Sequence, residues 1–250
     1  MKKVLVTLLC VFPAMVFAAG GNIPLDKANN DITDKASLRN GAETFMNSCL
    51  GCHSLKYQRY NRTFADLGID EKEGIETLMF TGEKPGDHIT NNMPEAEAAA
   101  WFGAAPPDLT LVARSRKGAD WIYTYLRGFY VDPERPFGVN NIVFKDVGMP
   151  HVFQNLQGVQ ELSDDAKAML ALPTKEQRPL SSDDLVMVQE GTMTAAEYDT
   201  MVRDLANFLE YTGEPSKVDR IRLGYWVMGF LVILFILSYL LKKEYWRDVH

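Results

Sequence analysis

The sequence has few cysteines, few histidines and no excess of positive charge, and each shortage excludes a class of protein. Three cysteines in 250 residues are too few for the disulfide framework of a small secreted domain. The 26 basic residues are outnumbered by 33 acidic ones, which gives a formal charge of −7. A nucleic-acid phosphate backbone attracts cationic proteins, so we exclude nucleic acid as a partner. An acidic chain of this kind is suited to a basic protein partner.

Long apolar runs are confined to the two ends of the chain. The first has the features of a secretory signal: Lys2 and Lys3 precede an apolar core, Val4–Phe17, and small side chains at Val16 and Ala18 fit a cleavage site. We therefore predict a signal peptide at 1–18. The alternative is an uncleaved N-terminal anchor, for which the apolar stretch is short.

The second apolar run, Leu223–Leu241, contains no charged residue. About 20 residues at 1.5 Å each cross the hydrocarbon core of a bilayer. Aromatic residues flank both ends, as in the interfacial belts of membrane proteins. We predict a transmembrane anchor at 221–241, embedded in membrane lipid, and a cytoplasmic tail at 242–250. The alternative is a buried helix of a soluble core.

Charge around this anchor does not decide its orientation, because three basic residues lie on each side: Lys217, Arg220 and Arg222 against Lys242, Lys243 and Arg247. The signal peptide does decide it, because a signal of this kind exports the domain on its C-terminal side. We therefore predict a single-pass protein of the bacterial inner membrane, with residues 19–220 on the periplasmic side. Residues 19–216 hold 18 basic and 30 acidic residues, a charge of −12.

Helical periodicity predicts only part of the exported domain. Apolar residues at three- and four-residue spacing predict a helix at 38–49 and another at 194–211, the latter opening on a capping-box signature. The region 54–160 is rich in glycine, proline and asparagine, and we expect loops and short helices there, the clearest at 119–129. No segment shows a convincing strand pattern. So irregular a chain needs a stabiliser, which a large apolar cofactor would supply.

The residues Cys49-Leu50-Gly51-Cys52-His53 form C-x-x-C-H, the attachment motif of c-type haem. Two thiols on one turn can bond to the two vinyl groups on one porphyrin edge, and the following histidine can reach the iron. A redox dithiol would need a thioredoxin-like βαβ context, which is absent here. A zinc site would need four ligands, and no second paired motif supplies them. One motif predicts one covalently bound haem c.

The sixth position of the iron is left open by the spacing of residues. Met93, in Asn-Asn-Met-Pro, and Met149, in Gly-Met-Pro-His, both lie beside a proline that stiffens the backbone. His88 and His151 are the histidine alternatives. A sixth ligand favours electron transfer, whereas an open position favours gas binding or catalysis.

Four segments resemble the cytochrome c1 family, the haem subunit of bc1 complexes. They are Cys49–Arg62, Ala105–Arg116 with its APPDL, Asp120–Pro133, and the Gly-Met-Pro at 148–150. The single C-terminal anchor completes the resemblance, which covers essentially the whole mature chain. It implies an all-α, class I cytochrome c-like haem domain with long loop insertions and one C-terminal transmembrane helix. The 38–49 and 194–211 helices would cross near Gly41 and Phe45.

The resemblance also implies roles for individual residues. Cys49 and Cys52 would bind the haem covalently, His53 and Met149 would be the axial ligands of the iron, and Arg116 would pair with a haem propionate. Two departures from the family pattern stand out. Met149 is followed by one proline rather than a run, which keeps His151 in consideration as a ligand. Apolar Trp101-Phe102 precedes Gly103 where polar residues are expected.

The implied function is electron transfer within a dimeric bc1 complex. The protein would accept one electron from the Rieske iron–sulfur protein and pass it to a soluble or membrane-bound cytochrome c, while quinol oxidation occurs on cytochrome b. It would not be an enzyme on its own. We expect part of the acceptor's footprint on the most acidic stretch, Glu161–Asp204. The alternatives are another anchored monohaem cytochrome, such as an oxidase-associated donor subunit, and a haem enzyme or gas sensor.

Overall fold

A computed structural model describes residues 23–247, so the predicted signal peptide at 1–18 lies outside the described residues. Helices dominate this part of the chain. They are α1 (Lys35–Ser48), α2 (Tyr60–Leu67), α3 (Glu71–Leu78), α4 (Glu95–Phe102), α5 (Val112–Ser115), α6 (Ala119–Arg127), α7 (Gln154–Gln157), α8 (Asp164–Leu170), α9 (Ala195–Gly213) and α10 (Lys217–Tyr245). The predicted helices at 38–49, 119–129 and 194–211 correspond to α1, α6 and α9.

Helix α1 leads directly into the C-x-x-C-H motif. Its N-cap is Asp34, whose carboxylate accepts hydrogen bonds from the backbone N–H groups of Ala36 and Ser37. Its buried face has helical spacing and comprises Leu38, Gly41, Ala42, Phe45 and Met46. The helix ends at Ser48, so Cys49 occupies the C-cap. The motif therefore starts at a fixed point on a helix that is held by its apolar face.

Helix α9 crosses α1 at close range, as the family resemblance implied. It begins with a capping box, in which Thr194 and Glu197 satisfy each other's backbone N–H groups. A Cβ placed on Gly41 would lie 2.1 Å from the Asp204 carbonyl oxygen, so only glycine permits this approach. One turn along, the Phe45 and Phe208 rings lie 6.0 Å apart. Gly41 thus permits the close approach of the two helices, and the Phe45–Phe208 pair packs beside it.

A buried polar network fixes the register of this crossing. The Asp204 carboxylate accepts hydrogen bonds from the Ser37 hydroxyl at 2.7 Å and the Asn40 amide at 3.0 Å. The Asn207 amide in turn donates to the Ser37 hydroxyl at 2.9 Å. Buried polar groups stabilise a fold only when they are satisfied, and they are satisfied in one register alone.

The N-terminal lead-in forms a strap across the domain. The backbone N–H of Asp26 donates to the Thr124 hydroxyl, and that of Ala28 donates to the Asp120 carboxylate, both at 2.9 Å. Arg127 pairs with Asp26 and with Asp199 of α9, each at 2.6 Å. Helix α6 is therefore tied to both the strap and α9.

The expectation that no strands occur was wrong. Three two-stranded antiparallel ribbons join β1 (Leu55–Arg59) to β2 (His88–Ile89), β3 (Phe129–Val131) to β4 (Val139–Asn141), and β5 (Gly158–Leu162) to β6 (Leu185–Glu190). The strands have two to six residues, and β6 is exposed along most of its length. Strands this short, some buried on both faces and others exposed on both, carry no apolar–polar alternation. The all-α class is nevertheless confirmed, with only small sheet content.

The last helix is long and apolar enough to cross a membrane. Helix α10 has 29 residues, a mean hydropathy of 2.2 over its most apolar window, and no part of that window buried. It is therefore not a helix of the soluble core. The predicted span at 221–241 lies within it, and the helix continues for several residues beyond both of those bounds.

We predict that Gly41→Ala destabilises the fold by about 2–4 kcal/mol, because the added Cβ forces α1 and α9 apart. The free energy of unfolding can be measured by guanidinium titration of the detergent-solubilised protein. The matched control is Gly86→Ala, where an added Cβ meets no atom within 4 Å. Equal stability of the two variants would contradict the close crossing.

Candidate haem site

The C-x-x-C-H motif folds into a tight turn at the end of α1. The Cys49 N–H donates to the Phe45 carbonyl at 2.8 Å, and the N–H groups of Cys52 and His53 both return to the Cys49 carbonyl at 3.0 and 2.8 Å. The two thiols are unpaired, and Cys49 is buried. Burial raises the pKa of Cys49 to about 12, so this thiol is protonated at neutral pH. It does not resemble the low-pKa thiol of a redox dithiol.

The His53 ring is held by one backbone contact. Its Nδ1 lies 2.8 Å from the Pro107 carbonyl oxygen. A carbonyl only accepts, so Nδ1 carries the proton and Nε2 keeps its lone pair. The side chain is buried, and burial lowers the pKa of His53, against the opposing effects of Pro107 and Asp108. The ring is therefore neutral and oriented, which is the form that binds a metal.

Two loops are fastened to the same turn. The Leu109 N–H donates to the Ser54 carbonyl at 2.9 Å, which docks the APPDL segment beside His53. On another side, the Asn91 amide donates to the Cys52 carbonyl. Met93 belongs to that second loop, because its N–H donates to the Asn91 side chain at 3.3 Å. The Met93 loop is thus held against the turn that carries His53.

Met149 lies in a different setting from Met93. It is partly buried and packs against the main core cluster, which also includes Cys49 and Leu50. The Tyr125 hydroxyl donates to its Sδ at 3.4 Å. The preceding Gly148 lies so close to α4 that an added Cβ would be 3.2 Å from the Phe102 carbonyl oxygen. The apolar Trp101-Phe102 pair thus belongs to the helix end that packs on the Met149 loop.

The two other histidines considered as ligands occupy unlike places. His88 is in β2, opposite Arg59 of β1. His151 stacks on Phe129, with ring centroids 4.7 Å apart and planes 4° from parallel. Burial lowers the pKa of His151 to about 4, against an opposing effect of Gln157. Its Nε2 is buried and makes no hydrogen bond of normal geometry with the described residues.

Arg116 is exposed and lies between two aromatic rings. Its guanidinium is 5.1 Å from the Trp121 ring and 5.5 Å from the Phe144 ring. Within residues 23–247 it forms no ion pair. Trp121 stacks on Tyr125 at 5.0 Å, and Tyr125 touches Met149. The structure therefore brings Arg116 and Met149 to opposite ends of one short aromatic path.

These residues form two groups that border one core. Cys49, Cys52 and His53 occupy the turn, whereas Met149 and Arg116 are joined by the rings of α6. Two thiols on one turn, an oriented imidazole, a thioether and a free cation fit the needs of haem c. No cluster of three or more histidine, cysteine or carboxylate side chains among residues 23–247 could hold another metal. The zinc alternative finds no support in the described structure.

Comparison with known sequences gives the family. The profile of the Cytochrome C1 family matches residues 27–249. The chain belongs to the cytochrome c1 family. It carries one covalently attached haem c, as members of this family do. The family is the membrane-anchored haem subunit of the bc1 complex and transfers electrons within it.

Two relatives of this cytochrome c1-family chain match it over its full length, and a third matches most of it. It is 51% identical to cytochrome c1 of Allochromatium vinosum, covering 100% of this chain and 99% of the relative. It is 43% identical to a protein of Nitrosomonas europaea named ammonia monooxygenase gamma subunit, again covering 100% and 99%. It is 27% identical to cytochrome b/c1 of Bradyrhizobium diazoefficiens, covering 87% of this chain and 34% of that longer relative.

The sequence did not indicate every residue that shapes this site. Asn91 looked like part of a loop breaker, yet it fastens its loop to the haem-attachment turn. Tyr125 lies in the helix predicted at 119–129, but the prediction did not include the contact of its hydroxyl with Met149. The four-residue spacing of Trp121, Tyr125 and Phe129 was the available signal, because it places the three rings in line.

Proposed function

We propose that the protein is the electron-transfer subunit of a quinol–cytochrome c oxidoreductase. It accepts one electron from the Rieske iron–sulfur protein and passes it to a cytochrome c, and it is not an enzyme on its own. The observation that carries the proposal is the C-x-x-C-H turn with His53 oriented by the Pro107 carbonyl, in a chain of the cytochrome c1 family. When bound, the haem iron supplies the one-electron redox chemistry.

The chain's own residues would hold the haem in three ways. Cys49 and Cys52 would form the thioether bonds, for which their free thiols on one turn are suited. His53 would bind the iron through Nε2, since its Nδ1 is engaged by Pro107. Arg116 would pair with a propionate, since its guanidinium has no ion-pair partner in the described residues and is positioned by two rings.

Met149 is the better sixth ligand on positional grounds. A second ligand would come from a segment other than the one that supplies His53. Met93 belongs to a loop that Asn91 ties to the turn carrying His53. Met149 comes from a separate wall built by α4 and α6. A thioether in this position raises the potential relative to a second imidazole.

The partners follow from the family and the anchor. The cytochrome b/c1 relative supports assembly with cytochrome b in a bc1 complex. Helix α10 exposes apolar side chains along its whole length, which suits contact with lipid and with other membrane subunits. We extend this to a dimeric complex with the haem domain on the periplasmic side, since a signal peptide would export it.

Two other assignments place the same anchored cytochrome in another complex. One is an oxidase-associated donor subunit. The other is suggested by the relative named ammonia monooxygenase gamma subunit. Mild detergent solubilisation and identification of the co-purifying subunits separate the three. We expect cytochrome b and a Rieske protein in stoichiometric amounts. Their absence, with an oxidase or a monooxygenase in their place, would overturn the proposal.

We predict one covalently bound haem per chain. Acid–acetone extraction should leave the haem on the polypeptide, because thioether bonds resist it. Cys49→Ala should retain much less haem and yield less folded protein, since the loop-rich middle of the chain packs around the site. The absorption of the pyridine haemochrome measures the retained haem, and circular dichroism measures the folded fraction. Haem extracted from the wild type would contradict covalent attachment.

We predict that Met149→His keeps the iron low-spin but lowers its midpoint potential by about 100 mV or more, since imidazole favours the ferric state more than a thioether does. Redox titration measures this. Met93→Leu is the matched control and should leave the weak near-infrared sulfur–iron band unchanged. Loss of that band in Met93→Leu, with retention in Met149→Leu, would reverse the assignment.

Two acids of the stretch expected to meet the acceptor, Asp184 and Asp204, are buried, and Asp204 belongs to the α1–α9 network. Asp164 and Asp165 are exposed at the start of α8, and Asp183 is exposed as well. Asp184 is buried and pairs with the Arg178 guanidinium at 2.5 Å. Its bonds to Arg178 and to Ser181 lower the pKa of Asp184 to about 2. Asp184 therefore supports the local fold and is no part of a docking surface.

We predict that reduction of a basic cytochrome c slows steeply as salt rises, because opposite charges speed encounter and the Debye length is only about 8 Å at physiological ionic strength. Stopped-flow rates over a salt series measure the slope. Reversing Asp164 and Asp165 to lysine should flatten it. The matched control is reversal of Glu71 and Glu73, two exposed acids in the first turn of α3. A wild-type rate indifferent to salt would mean that the acceptor is not basic.

A further inference from the structure

Three aromatic side chains form a column beside the sixth-ligand loop. Trp121 and Tyr125 stack with centroids 5.0 Å apart and planes 15° from parallel. Phe129 meets Tyr125 edge-on at 5.3 Å. The three are spaced by four residues, along α6 and into β3, which places them in line. The column continues with the His151 ring, which stacks on Phe129 at 4.7 Å.

This column touches the ligand loop at two points. The Tyr125 hydroxyl reaches the Met149 Sδ at 3.4 Å. Phe129 lies flat against His151, with the two planes 4° apart. Phe129 is 2% exposed and cannot swing outward without opening the core. The rings that hold the two residues are therefore themselves held by packing.

The second contact matters because His151 is chemically able to replace Met149. Its buried Nε2 makes no hydrogen bond of normal geometry in the described part of the chain, and the Gln157 side chain is the polar group that interacts with the ring. It lies two residues from a thioether, and imidazole is a good ligand for iron, whereas thioether is a weak and soft one. A loop carrying both groups needs a restraint that decides which of them binds.

We propose that Tyr125 and Phe129 are positioning residues that select and tune the sixth ligand. Tyr125 donates its hydroxyl proton to a sulfur lone pair of Met149, and Phe129 keeps the His151 ring in its stack. This inference rests on the proposed function, in which Met149 binds the iron opposite His53. It goes beyond that function by explaining why the neighbouring imidazole does not bind instead.

The hydrogen bond to sulfur has a predictable electronic effect. A donor on one sulfur lone pair withdraws density from the thioether, so the thioether donates less to the iron. Weaker donation favours the ferrous state. Removal of the hydroxyl should therefore lower the midpoint potential while the sulfur–iron bond persists.

The first experiment compares Tyr125→Phe with Tyr123→Phe in the holoprotein. Tyr123 is on the same helix, lies under the Arg127 guanidinium at 4.6 Å, and makes no hydrogen bond or ring contact with Met149 or His151 in the described structure. We expect Tyr125→Phe to keep the near-infrared sulfur–iron band with a shifted maximum and to lower the midpoint potential. Tyr123→Phe should match the wild type in both measurements. A Tyr125→Phe protein with wild-type band and potential would overturn the tuning role.

The second experiment releases His151. Phe129→Leu keeps an apolar side chain but removes the stacking partner. We expect a fraction of this variant to lose the sulfur–iron band while remaining low-spin, with a lower midpoint potential, as two imidazole ligands would give. The double variant Phe129→Leu with His151→Leu should recover the band. Full retention of the band in Phe129→Leu, or no recovery in the double variant, would overturn the selecting role.

Failure of this inference is distinguishable from failure of the proposed ligand set. If the wild type lacks the sulfur–iron band, or keeps it in Met149→Leu, then Met149 is not the ligand and the proposed function loses its axial assignment. If Met149→Leu abolishes the band while the Tyr125 and Phe129 variants behave as wild type, the ligand set stands and the inference falls.

Discussion

The close crossing of α1 and α9 at Gly41 is the contact on which the rest of the structure depends. It allows backbone to meet backbone, so the buried Asp204 carboxylate can collect hydrogen bonds from both helices in one register. Helix α1 ends at Ser48 with Cys49 as its C-cap, so fixing its register also fixes the positions of the two thiols and His53. An error of one residue in this crossing would rotate the turn by about 100° around the helix axis.

Segments with little secondary structure of their own are hydrogen-bonded to the C-x-x-C-H turn. The APPDL loop docks on it through Leu109 and orients His53 through the Pro107 carbonyl. The Asn91 loop docks on its other side. These contacts are hydrogen bonds to backbone groups, which allow loops to hold fixed positions without strands or long helices. The haem that the family carries would add the apolar surface that such loops otherwise lack.

Sequence patterns predicted the features that repeat or have fixed spacing. The apolar periodicity predicted α1 and α9, the uncharged run at 223–241 predicted α10, and C-x-x-C-H predicted the one covalent haem c that the family carries. Patterns failed where a property depends on side-chain or strand contacts that leave no periodic signal. The ribbon strands are too short to alternate, and the charge of Asp184 is neutralised by a partner six residues away. Met93 and Met149 have similar sequence contexts, because both lie beside a proline. Only the structure shows that they belong to loops with different contacts.

The two proposed axial ligands are both positioned by the α1–α9 pair, each through a separate series of contacts. His53 follows α1 directly through the Cys49 turn. Met149 is reached from α9 through Asp199, which pairs with Arg127 at the end of α6, and then through Tyr125 on that helix. Both residues are thus positioned through contacts with one helix pair whose register is fixed by buried polar groups. Such anchoring suits a group that must change charge with little reorganisation.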